Sequence, residues 1–552
     1  MKKSFNLLFS ATALLTVLLT SCGTTPSPTT TATPTPTTST STATSSTMSF
    51  PDGYERDSGL GKTNYKTTKS DEYKVTLEDE LVGEGTPCLA SKGEQNLLVI
   101  PVEFSDFPAE SLMPSVTDAT EAKAKAKQFI EDAFFGETED TGWESLKSYY
   151  YKSSYGKLTL NGFVTDWFML DKSVKDLLEY WKTVPSSEGG NGGYNSTWYI
   201  LREAVKWYKS VSSEKGWPDI KEFDKNSDGM IDGVWLVNSA GIKAYSSDDF
   251  WAFTYWDLNN PDVKVNYDPE NPMAVPYCSA SYKFLENAGY NGKPDCHTMI
   301  HETGHLMGIE DYYTYDKGGW GPAGGGDMMD QNVGDHDSFT KTLYGWTNPY
   351  YVTGDAEITL KPFQENGDCI IVKNGWNGHA FDEYLILEFY TPTGLNEKDA
   401  SEVYKGEKDG YPQLPSKNGI KIYHIDARLG MFDRSTVNQS KQQALIGYTD
   451  EMTTEYNGKK VVTFMAHSNT RSRSAEPNNS LIHLLESTGR NSFKDNGNKI
   501  SNTTLFKEGA LFGANKKFVD FKFNDGTSLD YVIEIKSVTN SSATIVFNAK
   551  KA

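Results

Sequence analysis

Residues 301 to 311 read HETGHLMGIED, with two histidines four positions apart and a glutamate directly after the first. On a helix, His301 and His305 lie one turn apart on the same face, so both imidazoles can bind one metal ion. Glu302 is offset from that face and can reach a metal-bound water instead. The stretch therefore predicts a helix that carries a zinc site, with Glu302 as the general base.

The residues around this stretch predict where the helix ends and which side chain completes the site. Asp295 can cap a helix over 296–307, and Gly308 stands where a left-handed residue ends a helix. A sharp turn there can bring Asp311 back to the metal, although spacing alone leaves Glu310 open as an alternative. Two histidines, one carboxylate and one open position are typical of a catalytic zinc site.

His297 precedes His301 by one turn, but it cannot join the same ion. His297 and His305 are eight residues apart, which is about 12 Å along a helix axis. We therefore expect His297 to lie behind the ligands or at the surface. Tyr312, Tyr313 and His336 are candidates for stabilising an oxyanion.

A glycine-rich segment, GGGDMMD at 324–330, follows the metal stretch. It resembles the Met-turn of metzincins, in which a methionine forms an apolar floor beneath the metal. Met329 is the predicted floor residue and Met328 the alternative. A plain glycine-rich loop is the competing interpretation.

Residues 224–232, DKNSDGMID, match the first nine positions of an EF-hand-type loop. The possible calcium ligands are Asp224, Asn226, Asp228, Met230 and Asp232. Position twelve, where a glutamate belongs, is Trp235, so a calcium ion here would need ligands from elsewhere. The alternative is an Asp/Asn/Gly turn that satisfies its own backbone without metal.

The N-terminus resembles a bacterial lipoprotein signal. Two lysines precede an apolar run that ends in Leu19-Thr20-Ser21-Cys22-Gly23. We expect 1–22 to be a signal peptide, with Cys22 as the lipidated first residue of a protein on the extracellular face of a bacterial membrane. An ordinary cleaved secretion signal is the alternative. No later apolar run reaches 18 residues, so the lipid is the expected membrane contact.

The rest of the 552 residues is predicted to form an α+β fold after a tether. Residues 23–49 are rich in Thr, Ser and Pro and cannot bury a core. Residues 50–93 are expected to form an arm or short pro-segment. Apolar and helical patterns over 94–350 predict a catalytic domain, and short alternating runs over 351–552 predict a β-rich region. The predicted helices are 117–135, 145–151, 171–181 and 197–208, and the predicted strands are 97–104, 158–168, 234–237, 370–372, 384–389, 420–425, 461–465 and 532–547.

Charge and cysteine content narrow the range of functions. A formal net charge of −21 predicts a poor general nucleic-acid binder, because phosphate contacts need clustered cations, and we expect no nucleic-acid partner. Four cysteines besides Cys22 can form two disulfides in three pairings in an oxidising location. They are Cys88, Cys278, Cys296 and Cys369. A further hypothesis places Cys88 in the open position of the zinc as an inhibitory switch.

Several segments resemble the immune inhibitor A family of secreted bacterial metallopeptidases. They are LVIPVEFSD at 98–106, SLKSYYYKSSYGKLTLNGF at 145–163, FDKNSDGMIDGVWLVNSAG at 223–241, the metal stretch with 327–330, and LYGWTNPYYVT at 343–353. The resemblance implies zinc bound by His301, His305 and Asp311.

The family's fold would be a zincin-like twisted mixed sheet with an active-site helix and Met-turn, with 250–256 near the strand that pairs with peptide. The implied activity is a cell-surface zinc endopeptidase acting on proteins or peptides. The alternative is a non-catalytic surface-anchored binding protein with a vestigial metal site. No long pro-domain like that of larger family members is present in the sequence, so the control of latency is open.

Overall fold

The computed structural model describes residues 55–56, 88–184, 196–257, 268–435, 443–513, 518 and 521–550. The predicted signal peptide, the tether, Cys22 and most of the predicted arm lie outside these residues. The strands are β1 (Glu55–Arg56), β2 (Gly93–Glu103), β3 (Leu158–Val164), β4 (Phe168–Met169), β5 (Val234–Asn238), β6 (Phe253–Trp256), β7 (Pro276–Ser281), β8 (Tyr350–Tyr351), β9 (Ala356–Leu360), β10 (Cys369–Val372), β11 (Glu383–Tyr390), β12 (Gly419–Asp426), β13 (Leu429–Asp433), β14 (Leu445–Thr449), β15 (Glu455–Tyr456), β16 (Lys459–Met465), β17 (Ile482–Leu485), β18 (Leu511–Phe512), β19 (Tyr531–Val538) and β20 (Ala543–Ala549).

The α-helices of the described residues are α1 (Ala119–Phe135), α2 (Leu146–Ser153), α3 (Val174–Thr183), α4 (Ser196–Lys215), α5 (His297–Leu306), α6 (Met328–Gln331), α7 (Ser338–Leu343), α8 (Phe363–Asn366), α9 (Glu397–Ser401) and α10 (Ser492–Asn496). The fold is therefore α+β, as predicted, with mixed sheets. In the part of the chain that the structure describes, no helix is both long and apolar enough to cross a membrane.

The first sheet carries the strand order β3-β2-β5-β7-β6, and β4 also pairs with β2. Its central strands are parallel, and β6 closes one edge in antiparallel orientation to β7. Alternate residues of β5 enter two different cores. Trp235 and Val237 pack in the core that contains α5, whereas Val234 and Leu236 pack in the core that contains α3 and α4. Helices on both faces explain why all five residues of β5 are buried and its first four are apolar.

The second large sheet follows residue 350 and has the order β1-β8-β10-β11-β12-β17. Ile371 and Ile386 on one of its faces belong to the same hydrophobic core as α5. Leu385 and Ile420 on the other face pack against the four-stranded sheet β18-β19-β20-β9. A second four-stranded sheet has the order β14-β13-β16-β15. The predicted domain boundary at 350 remains a prediction, but the core around α5 includes residues from both sides of it.

Two predicted strands needed correction. The run 158–168 is two strands, because the chain leaves β3 after Val164 and the amide of Thr165 donates to the carbonyl of Val99 before β4 begins. The run 532–547 is the antiparallel pair β19 and β20, joined by a turn in which Thr539 bonds to Ser542. The helices α1 and α2 match the predictions within two residues, α3 begins at Val174, and α4 continues to Lys215.

Candidate metal centre

The helix α5 positions both histidines, and its surroundings leave it little freedom. All ten of its residues are buried. A Cβ at Gly304 would lie 2.7 Å from the sulfur of Met329, so only glycine allows this close approach. Gly308 follows the helix with φ +91°, which confirms the predicted left-handed end. Cys296 occupies the N-cap position and makes no capping bond through its side chain, but Asp295 Oδ1 accepts from the amide of His297 at 3.1 Å, so Asp295 caps the helix as predicted.

Three ligand atoms converge at the end of the turn that follows α5. Asp311 Oδ1 lies 2.8 Å from His301 Nε2 and 3.6 Å from His305 Nε2. Ligand atoms about 2.0–2.1 Å from a tetrahedral zinc ion would be about 3.3 Å apart, so these separations fit such an ion. Among the described residues, His301, His305 and Asp311 are the one group of three or more potential ligands this close together. Glu310 is not part of the group.

Hydrogen bonds orient the two imidazoles for metal binding. His301 Nδ1 donates to the carbonyl of Met328 and His305 Nδ1 to the carbonyl of Ile309, both at 2.7 Å. A carbonyl accepts only, so the proton sits on Nδ1 and each Nε2 presents a lone pair. Asp311 Oδ1 is buried and has no hydrogen-bond partner in the described structure. Three facing acceptors repel one another unless a cation lies between them, and the donor set therefore fits zinc.

The electrostatics of the cluster agree with this arrangement. Burial raises the pKa of Asp311, but the two histidines in their protonated form outweigh it and hold that pKa well below its ordinary value. A bound zinc ion would take the place of the two Nε2 protons and would keep the carboxylate ionised by its own charge. Burial also raises the pKa of Glu302, which the neighbouring histidines lower only in part. A carboxylate with a raised pKa is suited to accept a proton near neutral pH.

Thr254 holds the predicted base. Its hydroxyl lies 3.1 Å from Glu302 Oε2 and 2.7 Å from the main-chain carbonyl of the same residue. Thr254 belongs to β6, the edge strand of the first sheet. The hydrogen bond thus connects Glu302 to the edge strand of the sheet. No motif in the sequence pointed to this residue.

The glycine-rich segment lies beneath the metal helix. Its Met328 carbonyl accepts from His301, and the Met329 side chain packs against Gly304. The Met329 carbonyl accepts from the amide of Tyr312 at 2.8 Å, and its amide donates to Asp327. The segment thus fixes both a ligand and the loop that carries Asp311.

The tyrosines after Asp311 divide into different roles. The ring of Tyr313 stacks on that of His301, with centroids 6.3 Å apart, and borders the cluster. The hydroxyl of Tyr315, which sequence reasoning missed, donates to Asp311 Oδ2. Tyr312 is buried and bonded to Thr340, away from the ligands. His336 is buried among aromatic rings, and burial holds its pKa well below the ordinary value.

His297 is neither at the surface nor incidental. Its ring is stacked between Trp143, at 4.2 Å, and Tyr404, at 4.0 Å between centroids. Its Nδ1 lies 2.7 Å from Asp295 Oδ1, and its Nε2 lies 3.6 Å from Asp399 Oδ2. This ion-pair cluster anchors the first turn of α5.

The loop at 224–232 satisfies much of its own backbone through its Asp and Asn side chains. Asp224 accepts from the amides of Asp228 and Gly229, and Asp232 accepts from the amide of Lys225. Gly229 has φ +84°, as the loop pattern requires. Asn226 and Asp228 bond to each other and to nearby amides. Calcium binding by these residues and the Met230 carbonyl stays a prediction.

The expectation of two disulfides was wrong for the described cysteines, because Cys278, Cys296 and Cys369 are buried free thiols. Cys88 accepts from the indole of Trp256 at 3.2 Å, and its amide donates to the Leu306 carbonyl at the end of α5. The thiol therefore lies beside the helix and not in the open position of the metal centre. Cys278 lies 3.2 Å from the Thr254 hydroxyl.

The sequence matches no known protein-family model, and no curated protein is significantly similar to it. The likeness to the immune inhibitor A family rests on the sequence segments quoted above.

Proposed function

We propose that this protein is a zinc-dependent endopeptidase that hydrolyses peptide bonds in proteins. The observation that carries the proposal is the convergence of His301 Nε2, His305 Nε2 and Asp311 Oδ1 beside a buried glutamate of raised pKa. A purely structural site has no use for such a base. In its finer form the proposal is a metzincin-like fold of the immune inhibitor A type, with Met329 as the floor of the metal site.

Each protein group has a defined part in the proposed reaction. Bound zinc would supply Lewis acidity toward the peptide carbonyl and the attacking water. Glu302 would take a proton from that water and return it to the leaving nitrogen. Thr254 keeps the glutamate in place, and Tyr315 orients Asp311 by the hydrogen bond to its second oxygen. The ring of Tyr313 borders the space where substrate would lie.

The proposed cellular location and the structural calcium ion rest on the sequence alone. Lipidation at Cys22 would hold the enzyme on the outer face of a bacterial membrane, with the 23–49 segment as a tether. A calcium ion in the 224–232 loop would be structural. The competing function is a surface-anchored binding protein that keeps the metal but does no chemistry.

Cleavage of denatured casein by the full-length protein, beside Glu302→Gln, tests the proposal. We expect about one zinc per chain in both proteins and a rate at least about 1000-fold lower in the variant. The removal of a general base and its charge predicts such a loss. His305→Ala is the matched control and should lose both zinc and activity. Zinc in both proteins without cleavage by the parent would favour the binding protein, and no zinc in either would refute the metal site.

A further inference from the structure

A loop from beyond residue 350 reaches the metal centre. This loop, residues 402–418, connects α9 to β12. Tyr404 fixes it, because its ring stacks on His297 and its hydroxyl donates to Asp295 at 3.0 Å. The loop is therefore attached to the first turn of the metal helix.

Four residues after this anchor, Lys408 lies over the ring of Tyr313, which borders the cluster. Its ammonium lies 5.6 Å from the ring centroid of Tyr313 and 5.6 Å from that of Tyr411. Tyr313 itself stacks on His301. A cation over an aromatic face is attracted to the ring, so the two tyrosines hold the ammonium at this position.

Within the described part of the chain, Lys408 has no ion-pair or hydrogen-bond partner for its ammonium. The side chain keeps solvent-exposed surface. Surrounding atoms that exclude water lower its pKa, whereas the charges of Asp330 and Asp311 act in the opposite direction. Asp311 is committed to the histidines and Asp330 to the amide of Gly325. The ammonium of Lys408 therefore lies near the metal cluster, and the two closest carboxylates already bind other groups.

Two further cations lie near these tyrosines. The guanidinium of Arg473 lies 4.6 Å from the ring centroid of Tyr315, the tyrosine that bonds Asp311. The charge of Lys499 is close enough to lower the pKa of Lys408.

We propose that Lys408 is a specificity-determining residue that binds a carboxylate of the substrate close to the scissile bond. The inference rests on the proposed function, since it names the substrate class of the same site. An extended peptide advances about 3.3–3.6 Å per residue. The Lys408 ammonium lies 5.6 Å from the ring centroid of Tyr313, and the His301 ring centroid lies 6.3 Å from the same point, so the carboxylate belongs to an Asp or Glu side chain within about three residues of the cleaved bond. A free chain terminus offers the same chemistry.

The test compares peptides that differ only in one charge. Fluorogenic peptides carry Glu or Gln at each of three positions on either side of the scissile bond, with an amidated or a free C-terminus. We expect the parent to prefer Glu over Gln by about tenfold in kcat/KM at one position, mainly through KM. Lys408→Met should lower kcat/KM for the Glu peptide to the value for the Gln peptide, and Lys408→Arg should keep most of the preference.

Lys405→Met is the matched control, because Lys405 is an exposed lysine of the same loop that is engaged through its main-chain carbonyl. It should leave both rates unchanged. A preference in the parent that survives Lys408→Met, or the lack of any preference, would overturn the inference. A preference only for the free C-terminus would assign the carboxylate to the chain end instead of a side chain.

Binding separates this inference from the proposed function. Fluorescence anisotropy of the same peptides on Glu302→Gln, with and without Lys408→Met, needs no catalysis. About tenfold tighter binding of the Glu peptide that disappears with Lys408→Met supports the carboxylate site even if the parent cleaves nothing. Equal binding of both peptides to Glu302→Gln overturns it even if the parent is an active peptidase.

Discussion

Replacement of His297 by glutamine should remove a pH-dependent part of the stability of this protein. Burial lowers the pKa of His297, but Asp295 and Asp399 outweigh it and raise that pKa to about 9. The imidazolium is enclosed by two aromatic rings, so solvent does not screen it. The folded protein therefore carries a positive charge here at neutral pH.

The pKa shift of His297 gives the size of its contribution to stability. An unfolded histidine has a pKa of about 6.5, and the difference from about 9 corresponds to about 3 kcal/mol at 1.36 kcal/mol per pKa unit. Because the folded pKa is raised, this stability is fully present below pH 6.5 and is lost as the pH rises through 9. The lowered pKa of Asp295 describes the same ion pair and is not counted again.

Urea unfolding of the parent and His297→Gln at pH 6.5, 8 and 9.5 measures the difference. Between pH 6.5 and 9.5, the free energy of unfolding of the parent should fall by about 3 kcal/mol more than that of His297→Gln. Asp399→Asn, which removes the more distant carboxylate, should give a smaller loss. In ¹⁵N spectra of labelled histidines, His297 should remain protonated at pH 8. Parallel pH profiles for the parent and His297→Gln, or a neutral His297 at pH 8, would refute the reasoning.

Three further substitutions test the surroundings of the site. Gly304→Ala would bring a methyl group against the sulfur of Met329 and should lower the free energy of unfolding by about 1–3 kcal/mol, as measured by calorimetry. Gly241→Ala is the control, because its methyl group meets open space, and it should lower the free energy of unfolding by less than about 1 kcal/mol. Thr254→Val should lower kcat for casein about tenfold with zinc content unchanged, and a loss of zinc would contradict its role in holding the base. Lys341→Met removes the ammonium that pairs with the buried carboxylate of Asp335 at 2.6 Å and should lower the free energy of unfolding by about 3–5 kcal/mol. An unchanged melting temperature would contradict a stabilising role for this buried ion pair.

Local patterns were sufficient to predict the metal helix. Histidines four residues apart specify one face, and a glycine after the last turn specifies how the helix ends. Both features depend on residues that are near in sequence, so periodicity and capping rules apply to them directly. Asp311 came from spacing together with a family likeness, and its geometry relative to His301 now supports that choice over Glu310.

The supporting residues could not be predicted in this way. Thr254 comes from a strand 48 residues before Glu302, and Asp399 and Tyr404 lie about 100 residues after His297. Sequence periodicity carries no information about such pairings. The cysteine expectation failed for another reason, because a location outside the cell permits disulfides but does not bring thiols together. The hairpin of β19 and β20 did have a signal, since Thr539 begins a short run of turn-forming residues.

The loop that carries Asp311 connects the metal centre to the chain after residue 350. The amide side chain of Asn469 donates to the Tyr312 carbonyl at 2.8 Å, and the hydroxyl of Thr470 accepts from the Tyr315 amide at 3.1 Å. The hydroxyl of Ser472 donates to Asp316 at 2.6 Å. Asp311 holds its position between the histidines because its loop is hydrogen-bonded at Tyr312, Tyr315 and Asp316. The β-rich part therefore contacts the candidate metal site in two places: the 402–418 loop contacts the first turn of α5, and residues 469–472 contact the loop that carries Asp311. Changes in that part should alter metal affinity as well as substrate preference.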